Sequence, residues 1–316
     1  MRVLVTGGGG FIGSNLVGRL LQLGHEVAVL DNFLTGRREN LAPYNDAVEL
    51  FEEDIRDLEG ARRAVTGREV VYHQAALPSV PRSVEDPVLS NSINVDGTLN
   101  VLLACRDAGV RRVVMASSSS VYGDSETLPK TEDMATAPKS PYGASKLATE
   151  AYGRAFHAVY GLEVVSLRYF NVFGPRQDPQ SHYAAVIPRF ITALLEDRRP
   201  TVFGDGEQTR DFTYVDNVVQ ANLLAGAAPE APGLALNLAG GHRYSLNYLL
   251  ELVRGLTGST AQAVYEPARP GDIKHSQAGI DLAQRVLDFS TVVDFEEGIR
   301  RTVDWYRAGE ETKPAS

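Results

Sequence analysis

Tyr142 and Lys146 stand four residues apart in the segment SPYGASK, residues 140–146. If this segment opens a helix, one turn separates the two side chains and they share a face. A phenol titrates near pH ~10, so a tyrosine that acts as a base at neutral pH needs a pKa lower by roughly three units, about 4 kcal/mol. A nearby ammonium supplies part of that free energy. The spacing permits proton transfer, and other segments must separate this pair from an unrelated Tyr and Lys on a solvated helix.

A glycine-rich loop near the N-terminus is the second candidate for chemistry. Gly7, Gly10 and Gly13 lie in VTGGGGFIGS, between a predicted strand and a helical pattern. Glycine lets the backbone turn tightly and approach a pyrophosphate, and the N-terminus of the following helix offers unpaired N–H groups. A Walker loop is excluded because no G-K-[ST] sequence follows. The loop therefore predicts a dinucleotide site.

The second predicted strand, HEVAVLD, ends at Asp31, 18 residues after Gly13. A carboxylate at this position accepts hydrogen bonds from an adenosine ribose and repels an added 2′-phosphate. This favours NAD over NADP. Arg37 and Arg38 follow a few residues later and are able to compensate for that repulsion.

Short apolar runs alternate with helical patterns in the first part of the chain. RVLVTG, HEVAVLD, EVVYHQAA and RRVVMASSSS are typical of strands, and NLVGRLLQLG, ARRAVTG and VLLACRDAG of helices. This alternation is what a parallel sheet with crossover helices requires. Near-continuous apolar strands such as RVVMA fit a sheet that helices cover on both faces. We predict an α/β fold with a Rossmann-type doubly wound parallel sheet.

The regular alternation of strand and helix patterns ends after about residue 175. FGPRQDPQSHY and PARPGDIKHS are rich in Pro, Gly and polar residues, PGLALNLAGG is typical of a loop, and helical patterns follow in YSLNYLLELVRGLTG and FEEGIRRTVDWYRAG. We predict an NAD-binding domain over residues 1–175, to which later segments return. Residues 176–316 are expected to form mainly a smaller substrate-binding lobe, with a cleft between the two parts.

The composition restricts the class of protein. The chain has 316 residues, 43% of them hydrophobic, which is enough for a large core. Its net charge of −9 and short basic runs disfavour a nucleic-acid partner. It has a single cysteine, Cys105, and its histidines lack metal-ligand spacing, so we expect no metal. With no apolar run of about 18 residues and no signal-peptide pattern, we expect a cytoplasmic protein without membrane contact.

Several segments together resemble the extended short-chain dehydrogenase/reductase superfamily, and within it the nucleotide-sugar epimerases and dehydratases. TGGGGFIG resembles the dinucleotide loop, EEDIRD the segment beside the adenine, and HQAA the strand end along the cofactor. SSSSVYGD and SPYGASK resemble the catalytic segments, so the resemblance covers nearly the whole chain. It implies NAD as the cofactor, bound by Gly7, Gly10, Phe11, Ile12, Gly13, Asp31, Asn32, Asp54, Ile55, Gln74, Ala75, Ala76, Tyr142 and Lys146.

The same resemblance implies that Ser118, Tyr142 and Lys146 are catalytic. In such a family Tyr142 takes the proton of a sugar hydroxyl as hydride leaves the same carbon for the nicotinamide, assisted by Ser118. Lys146 holds the nicotinamide ribose, and its charge favours the phenolate. Ser118 is assigned by counting back from VYG, so its neighbours Ser119 and Ser120 are the alternatives.

Oxidation at C4 of the sugar gives a 4-keto intermediate in several of these subfamilies. Dehydratases typically carry an Asp-Glu pair just before VYG, because eliminating water needs an extra acid and base. This chain has Ser119 and Ser120 there. The simplest outcome is that the hydride returns to the other face of the ketone and inverts C4. We therefore predict a UDP-sugar 4-epimerase with tightly held NAD.

The resemblance also implies a grip on the nucleotide-sugar. Arg210 and Arg269 are expected to hold the diphosphate, and Phe203 to lie beside the base. Asp272 is expected to hold the uridine ribose. The full set of implied substrate-binding residues is Ser79, Ser118, Ser119, Tyr142, Asn171, Val186, Phe203, Arg210, Arg269, Asp272 and Ser276, with Arg82 or Ser83 also expected to face the sugar.

The small side chain of Ser276 leaves room for an N-acetyl group where relatives with a bulky tyrosine do not. We therefore predict turnover of UDP-glucose and UDP-galactose and also of the N-acetylated pair. A UDP-glucuronate 4-epimerase or decarboxylase, a dehydrogenase that releases NADH, and a catalytically silent NAD-binding protein are the alternatives. Relatives pair helices such as DPVLSNSINVDGTLNVLLACRDAG and YGASKLATEAYGRAFHAVYG across a two-fold axis, which makes a homodimer the expected assembly.

Overall fold

The computed structural model describes residues 1–179, 185–268 and 274–311. The strands in these ranges are β1 (Arg2–Thr6), β2 (Glu26–Leu30), β3 (Val48–Phe51), β4 (Val70–His73), β5 (Arg112–Ser118), β6 (Glu163–Tyr169), β7 (Val172–Phe173), β8 (Thr201–Phe203), β9 (Thr209–Arg210), β10 (Thr213–Tyr214), β11 (Ala235–Leu238), β12 (Tyr244–Ser245) and β13 (Val264–Glu266). The helices are α1 (Phe11–Gln22), α2 (Leu58–Val65), α3 (Val80–Glu85), α4 (Pro87–Asn91), α5 (Gly97–Asp107), α6 (Pro141–Tyr160), α7 (Val186–Leu195), α8 (Val215–Ala227), α9 (Leu246–Thr257), α10 (Asp281–Leu287) and α11 (Phe295–Glu311).

Seven strands form the central sheet in the order β11-β6-β5-β4-β1-β2-β3, and every hydrogen-bonded pair in it is parallel. The chain moves outward from β1 to β3 in one direction and from β4 to β6 in the other. This confirms the predicted doubly wound, Rossmann-type fold. Ligands of such sheets bind at the carboxyl ends of the strands where the direction reverses. Here Gly7 and Gln74 directly follow the two strands at the reversal, β1 and β4.

Strand residues alternate between two apolar cores on opposite faces of the sheet. In β1, Val3 and Val5 join the core that includes α1 and α8, whereas Leu4 joins the core that includes α2, α5 and α6. All three side chains are fully buried. Because both faces of the sheet are covered, its central strands are apolar at nearly every position, as the sequence indicates.

The interpretation of PGLALNLAGG as a loop was wrong, because this segment contains β11. Residues Ala235–Leu238 pair in parallel with Ser166–Tyr169 of β6 and complete the sheet. The segment is short, lacks β-branched residues and is bounded by glycines, so its local preference for a strand is weak. Burial of Leu236 and Leu238 in the apolar core stabilises the strand despite this weak local preference.

The later part of the chain therefore adds β11 to the central sheet. It also forms a layer of packed helices, α7, α9 and α11, which we call the C-terminal wall. α8 packs against α1, β5 and β6, whereas α7, α9 and α11 pack against one another. Aromatic rings fill this wall, with the rings of Tyr244 and Phe295 stacked 4.1 Å apart. None of the helices in the described ranges is long and apolar enough to cross a membrane.

Candidate active site

A groove of about 650 Å³ runs along the carboxyl ends of the central strands. A smaller pocket of about 280 Å³ adjoins it and shares Asn171, Val172 and Ala185 with it. The predicted residues that line the groove are Gly7, Gly10, Phe11, Ile12, Gly13, Asp31, Asn32, Asp54, Ile55, Gln74, Ala75, Ala76, Ser79, Ser118, Tyr142, Lys146 and Asn171. Val186, Phe203 and Arg210 line the smaller pocket.

Four predicted residues are not in either set. Ser119 and Ser276 line neither cavity among the described residues, although the backbone N–H of Ser276 donates to the carbonyl of Thr209, next to Arg210 (3.1 Å). Arg269 and Asp272 lie outside the described residues.

The glycine loop turns too tightly to hold side chains at two of its glycines. A Cβ on Gly7, whose φ is +71°, would lie 2.6 Å from the backbone nitrogen of Ala75. A Cβ on Gly13 would lie 2.1 Å from the carbonyl oxygen of Gly7. α1 starts directly after this turn, and its N-cap residue Gly10 has no side chain to occupy the free N–H groups. These donors remain available to an anion such as a pyrophosphate.

Asp31 lines the groove directly after β2. Its carboxylate accepts hydrogen bonds from the backbone N–H groups of Gly9 and Phe33, both at 2.8 Å. Burial raises the pKa of Asp31, and these two hydrogen bonds oppose that rise. The loop after β2 is thereby fixed around a carboxylate, which is the group that a ribose diol requires.

Both arginines that the sequence leaves available to a 2′-phosphate are engaged in ion pairs. Arg37 contacts Asp178 at 3.2 Å. Arg38 forms an ion pair with Glu52, and its guanidinium lies 4.3 Å from the centre of the Phe33 ring. A 2′-phosphate would have to break these contacts and also approach Asp31, so the geometry favours NAD.

Tyr142 and Lys146 lie in the first turns of α6. Pro141 starts the helix, and the hydroxyl of Ser140 caps it by accepting from the N–H of Gly143 at 3.1 Å. Lys146 Nζ lies 6.0 Å from the centre of the Tyr142 ring and donates to the carbonyl of Ala116 at 2.8 Å. The one-turn spacing therefore brings the two side chains to the same place in the groove.

Burial shifts the pKa values of Tyr142 and Lys146 in opposite directions. It raises the pKa of Tyr142, while a hydrogen bond with Ser118 lowers that pKa. It lowers the pKa of Lys146 to about 8. Ser118 ends β5, and its Oγ also accepts from the hydroxyl of Ser120 at 2.9 Å. The chain alone therefore holds a neutral phenol beside an amine that titrates near neutral pH.

Comparison with known proteins places this arrangement in a family. Residues 3–239 match the model of the NAD dependent epimerase/dehydratase family. The chain belongs to this family. It is 42% identical over 312 residues to the UDP-glucose 4-epimerase of Mycolicibacterium smegmatis, covering 97% of this chain and 99% of that protein. The extended short-chain dehydrogenase/reductase resemblance is confirmed, and the enzyme is an isomerase of the epimerase type.

Solved structures agree with this assignment. The UDP-N-acetylglucosamine 4-epimerase of Methanobrevibacter ruminantium, in complex with UDP-N-acetylmuramic acid, is 41% identical and superposes with a TM-score of 0.93 over 98% of each chain. The UDP-glucose 4-epimerase of Thermus thermophilus, in complex with NAD, is 41% identical with a TM-score of 0.89, covering 97% of this chain and 99% of that one. The cofactor of the enzyme is NAD.

Two buried residues fix the start of α6, one that the sequence analysis assigned to another role and one that it did not single out. Ser83, expected to face the sugar, is fully buried: its hydroxyl accepts from the N–H of Tyr142 at 3.0 Å and donates to the carbonyl of Val80 at 2.7 Å. Arg82 does line the groove. Asn94 donates to Ser145 Oγ at 3.0 Å. These partners lie about 50 to 60 positions from α6 in the sequence, so no local signal points to them.

His73 is buried, connects the hydroxyls of two threonines by hydrogen bonds, and stays neutral at physiological pH. Its ring lies between the hydroxyls of Thr6 and Thr98, at 2.7 and 2.9 Å. Burial, together with the charge of Lys146, lowers the pKa of His73 to about 3, so the imidazole is neutral at physiological pH. In the described part of the chain no group of three His, Cys, Asp or Glu residues could hold a metal ion.

Gly13→Ala should strip NAD from the enzyme. The new methyl group would overlap the carbonyl of Gly7, so α1 must move away from the loop, at a cost of about 1–3 kcal/mol. We expect a large loss of NAD content, measured by absorbance after acid release, and a lower melting temperature. The control is Gly255→Ala in α9, where no atom lies within 4 Å and the change should stabilise the fold by about 0.5–1 kcal/mol. Wild-type NAD content in Gly13→Ala would contradict the assignment of the loop.

Proposed function

We propose that the enzyme is an NAD-dependent 4-epimerase of UDP-hexoses that acts on UDP-glucose and UDP-galactose, and also on the N-acetylated pair, through a transient 4-keto sugar. One observation carries the proposal: Ser118, Tyr142 and Lys146 line one groove that adjoins a second, nucleotide-sized pocket. Ser119 and Ser120 stand where a dehydratase would have an acid and a base. The site thus has the groups for oxidation and reduction at one carbon and lacks the extra pair for elimination.

NAD, when bound, would supply the acceptor for the hydride of C4 and its source on return. The phenolate of Tyr142 would take the proton of the C4 hydroxyl and, as the phenol, give it back when the carbon is reduced. Ser118 supports the phenolate with its hydrogen bond, which already lowers the pKa of Tyr142. Lys146 places positive charge 6.0 Å from the centre of the ring and would hold the nicotinamide ribose. Because desolvation raises the pKa of the partly buried Tyr142, this positive charge favours the phenolate that the reaction needs.

We propose that UDP occupies the smaller pocket. Phe203 lies on β8 with the guanidinium of Arg189 5.8 Å from the centre of its ring. Arg210 extends from β9 into the same pocket and is suited to a diphosphate. In this proposal residues 1–175 mainly hold NAD and residues 176–316 mainly hold the nucleotide-sugar, with Val186, Asn171, Arg269, Asp272 and Ser276 in the predicted contacts.

A UDP-glucuronate 4-epimerase or decarboxylase is the second candidate. A relative of that kind, the UDP-glucuronate 4-epimerase of Thermodesulfobacterium geofontis, is 34% identical over 313 residues. Arg82 lines the groove near Ser79 and could pair with a C5 carboxylate. NMR analysis of products from UDP-glucose, UDP-GlcNAc and UDP-glucuronate in parallel, without added cofactor, separates the candidates. A 4-epimerised hexose supports the first, a 4-epimerised uronate or a pentose the second, and accumulation of NADH a dehydrogenase.

Tyr142→Phe should lower the rate of epimerisation by about 10²- to 10⁴-fold, because it removes the group that carries the proton. NAD content and melting temperature should stay close to those of the wild type. The matched control is Tyr152→Phe, an exposed position on the same helix that should keep wild-type activity. Undiminished interconversion of the sugars by Tyr142→Phe would refute the mechanism.

Within the described ranges Ser276 lines neither cavity itself, but its backbone bonds that of Thr209 beside Arg210, so the bulky ring of Ser276→Tyr should reach and restrict the sugar pocket. We expect kcat/KM for UDP-GlcNAc to fall by about tenfold or more while that for UDP-galactose, the internal control, changes little. A coupled assay with each sugar measures the ratio. If the wild type turns over UDP-galactose well and UDP-GlcNAc not at all, the argument from the small side chain of Ser276 is wrong.

We further propose that the enzyme is a homodimer and works in the cytoplasm. Helices α4, α5 and α6 pack side by side, and α4 and α6 carry exposed apolar residues. Val88 on α4 is 77% exposed and Val159 on α6 is 72% exposed. A second copy related by a two-fold axis would cover them. The only cysteine, Cys105, is free and buried, which fits a reducing compartment.

The double variant Val88→Glu/Val159→Glu should be monomeric. Charges at both positions oppose burial of these helices against a second copy. Size-exclusion chromatography with light scattering should give twice the 34.3 kDa chain mass for the wild type and the single mass for the variant. Val292→Glu, also at an exposed apolar position, should stay dimeric. A monomeric wild type, or a dimeric double variant, would show that these helices do not form the interface.

A further inference from the structure

Each of three successive residues of β5 bonds a side chain of α6, and the three α6 residues lie one helical turn apart. The pairs are Ala116 with Lys146, Ser117 with Glu150, and Ser118 with Tyr142. Two of these pairs contain proposed catalytic residues. The third, in which Ser117 Oγ donates to Glu150 Oε1 at 2.5 Å, has no part in the chemistry described so far.

Glu150 is held by an ion pair in the interior of the protein. Its side chain is fully buried, and that of Arg168, on β6, is 4% exposed. Arg168 Nε donates to Oε1 at 2.9 Å and Nη2 donates to Oε2 at 2.8 Å, which is a bidentate contact. Ser117 is the register partner of Arg168 in the sheet. The carboxylate therefore ties α6 to two neighbouring strands at one level.

The same arginine also fixes the chain after Ser118. Arg168 Nη1 donates to the hydroxyl of Tyr122 at 2.8 Å, and that hydroxyl donates to Asn237 Oδ1 at 2.7 Å. Tyr122 ends the short 3₁₀ turn that follows Ser118. Ser118 thus lies between two residues whose side chains are held by the Glu150–Arg168 pair. Ser117, before it, bonds Glu150, and Tyr122, after it, bonds Arg168.

The carboxylate also acts on Lys146 through its charge. Titratable and charged groups face Lys146 and Glu150 from three elements. These are His73 from β4, Arg168 from β6, and Tyr142 and Arg154 from α6, with Arg154 Nη1 3.7 Å from Glu150 Oε2. His73 is neutral because its pKa is lowered to about 3. Glu150 raises the pKa of Lys146 and so opposes the burial that lowers it to about 8.

We propose that Glu150 is a positioning residue of the reaction: through Arg168 and Ser117 it sets the register of Ser118 against Tyr142, and it places a negative charge one helical turn from Lys146 on the same face of α6. The proposal rests on the proposed epimerase function for its kinetic readout only. The hydrogen bonds and the titration of Lys146 are properties of the folded chain and can be measured without turnover.

Ser117→Ala tests the register. It removes the hydrogen bond to Glu150 and leaves the ion pair intact, so the protein should fold with a melting temperature close to that of the wild type. We expect kcat to fall by about tenfold or more while KM and NAD content change less than about twofold, because a small displacement of catalytic groups acts on the chemical step. The control is Ser90→Ala, whose buried hydroxyl has no partner among the described residues and should keep wild-type kcat.

Glu150→Gln tests the charge. NMR titration of protein labelled with ¹³Cε-lysine should show a lower pKa for Lys146, and the alkaline limb of the kcat profile should move to lower pH. The sign follows because the ammonium loses a stabilising negative charge. Removing one partner leaves Arg168 buried and unpaired, so the double variant Glu150→Gln/Arg168→Met, which carries neither charge, is made in parallel. Glu251→Gln, from an exposed ion pair on α9, is the control and should shift neither readout.

A lowered kcat in Ser117→Ala together with a lowered Lys146 pKa in Glu150→Gln supports the proposal. Wild-type kcat in Ser117→Ala, or an unshifted Lys146 in folded Glu150→Gln, overturns it, since a purely structural ion pair would move stability alone. The double variant loses charges of both signs and so serves as the stability control; if Glu150→Gln fails to fold, Ser117→Ala decides. If the wild type epimerises no UDP-sugar, the proposed function fails, and the Lys146 titration still decides the role of Glu150.

Discussion

Burial of Tyr142 beside Lys146 is the constraint on which the rest of the site depends. The low dielectric of the groove disfavours both charged forms: it raises the pKa of the phenol and lowers the pKa of the amine to about 8. Ser118 lowers the pKa of Tyr142 and Glu150 raises the pKa of Lys146, so each opposes the effect of burial. Positive charge near this phenol lowers its pKa and so raises the fraction present as phenolate at neutral pH.

The parallel sheet makes this burial possible. All its strands end at the same edge, so residues as distant in sequence as Gly7, Asp31, Gln74 and Ser118 meet along one groove. The reversal of direction between β1 and β4 leaves that edge open for a ligand. α6 then approaches from one side and brings Tyr142 over the end of β5. The C-terminal part of the chain adds the smaller pocket beside this groove, which we propose for UDP.

Charge is arranged locally rather than over the whole surface. The chain carries a net charge of −9, yet its proposed ligands are anionic. Backbone N–H groups at the start of α1 and Arg210 in the smaller pocket provide for phosphates at two places. Near Asp31 the arginines are instead paired with carboxylates. The arrangement near Asp31 therefore favours NAD over a dinucleotide with a 2′-phosphate.

The sequence by itself determined the elements whose signals are local. The alternation of strands and helices, the glycine loop, Asp31 at the end of β2 and the one-turn spacing of Tyr142 and Lys146 all depend on neighbours in the chain, and they indicated the fold, the family and NAD. The sequence did not predict β11, because this segment becomes a strand only through its burial and pairing beside β6. Only the tertiary structure showed that Arg37 and Arg38 are paired, that Ser83 holds the backbone of Tyr142, and that Glu150 joins two strands to α6. Such contacts join residues far apart in sequence, and desolvation, which sets the pKa of the catalytic pair, exists only once the core has closed around them.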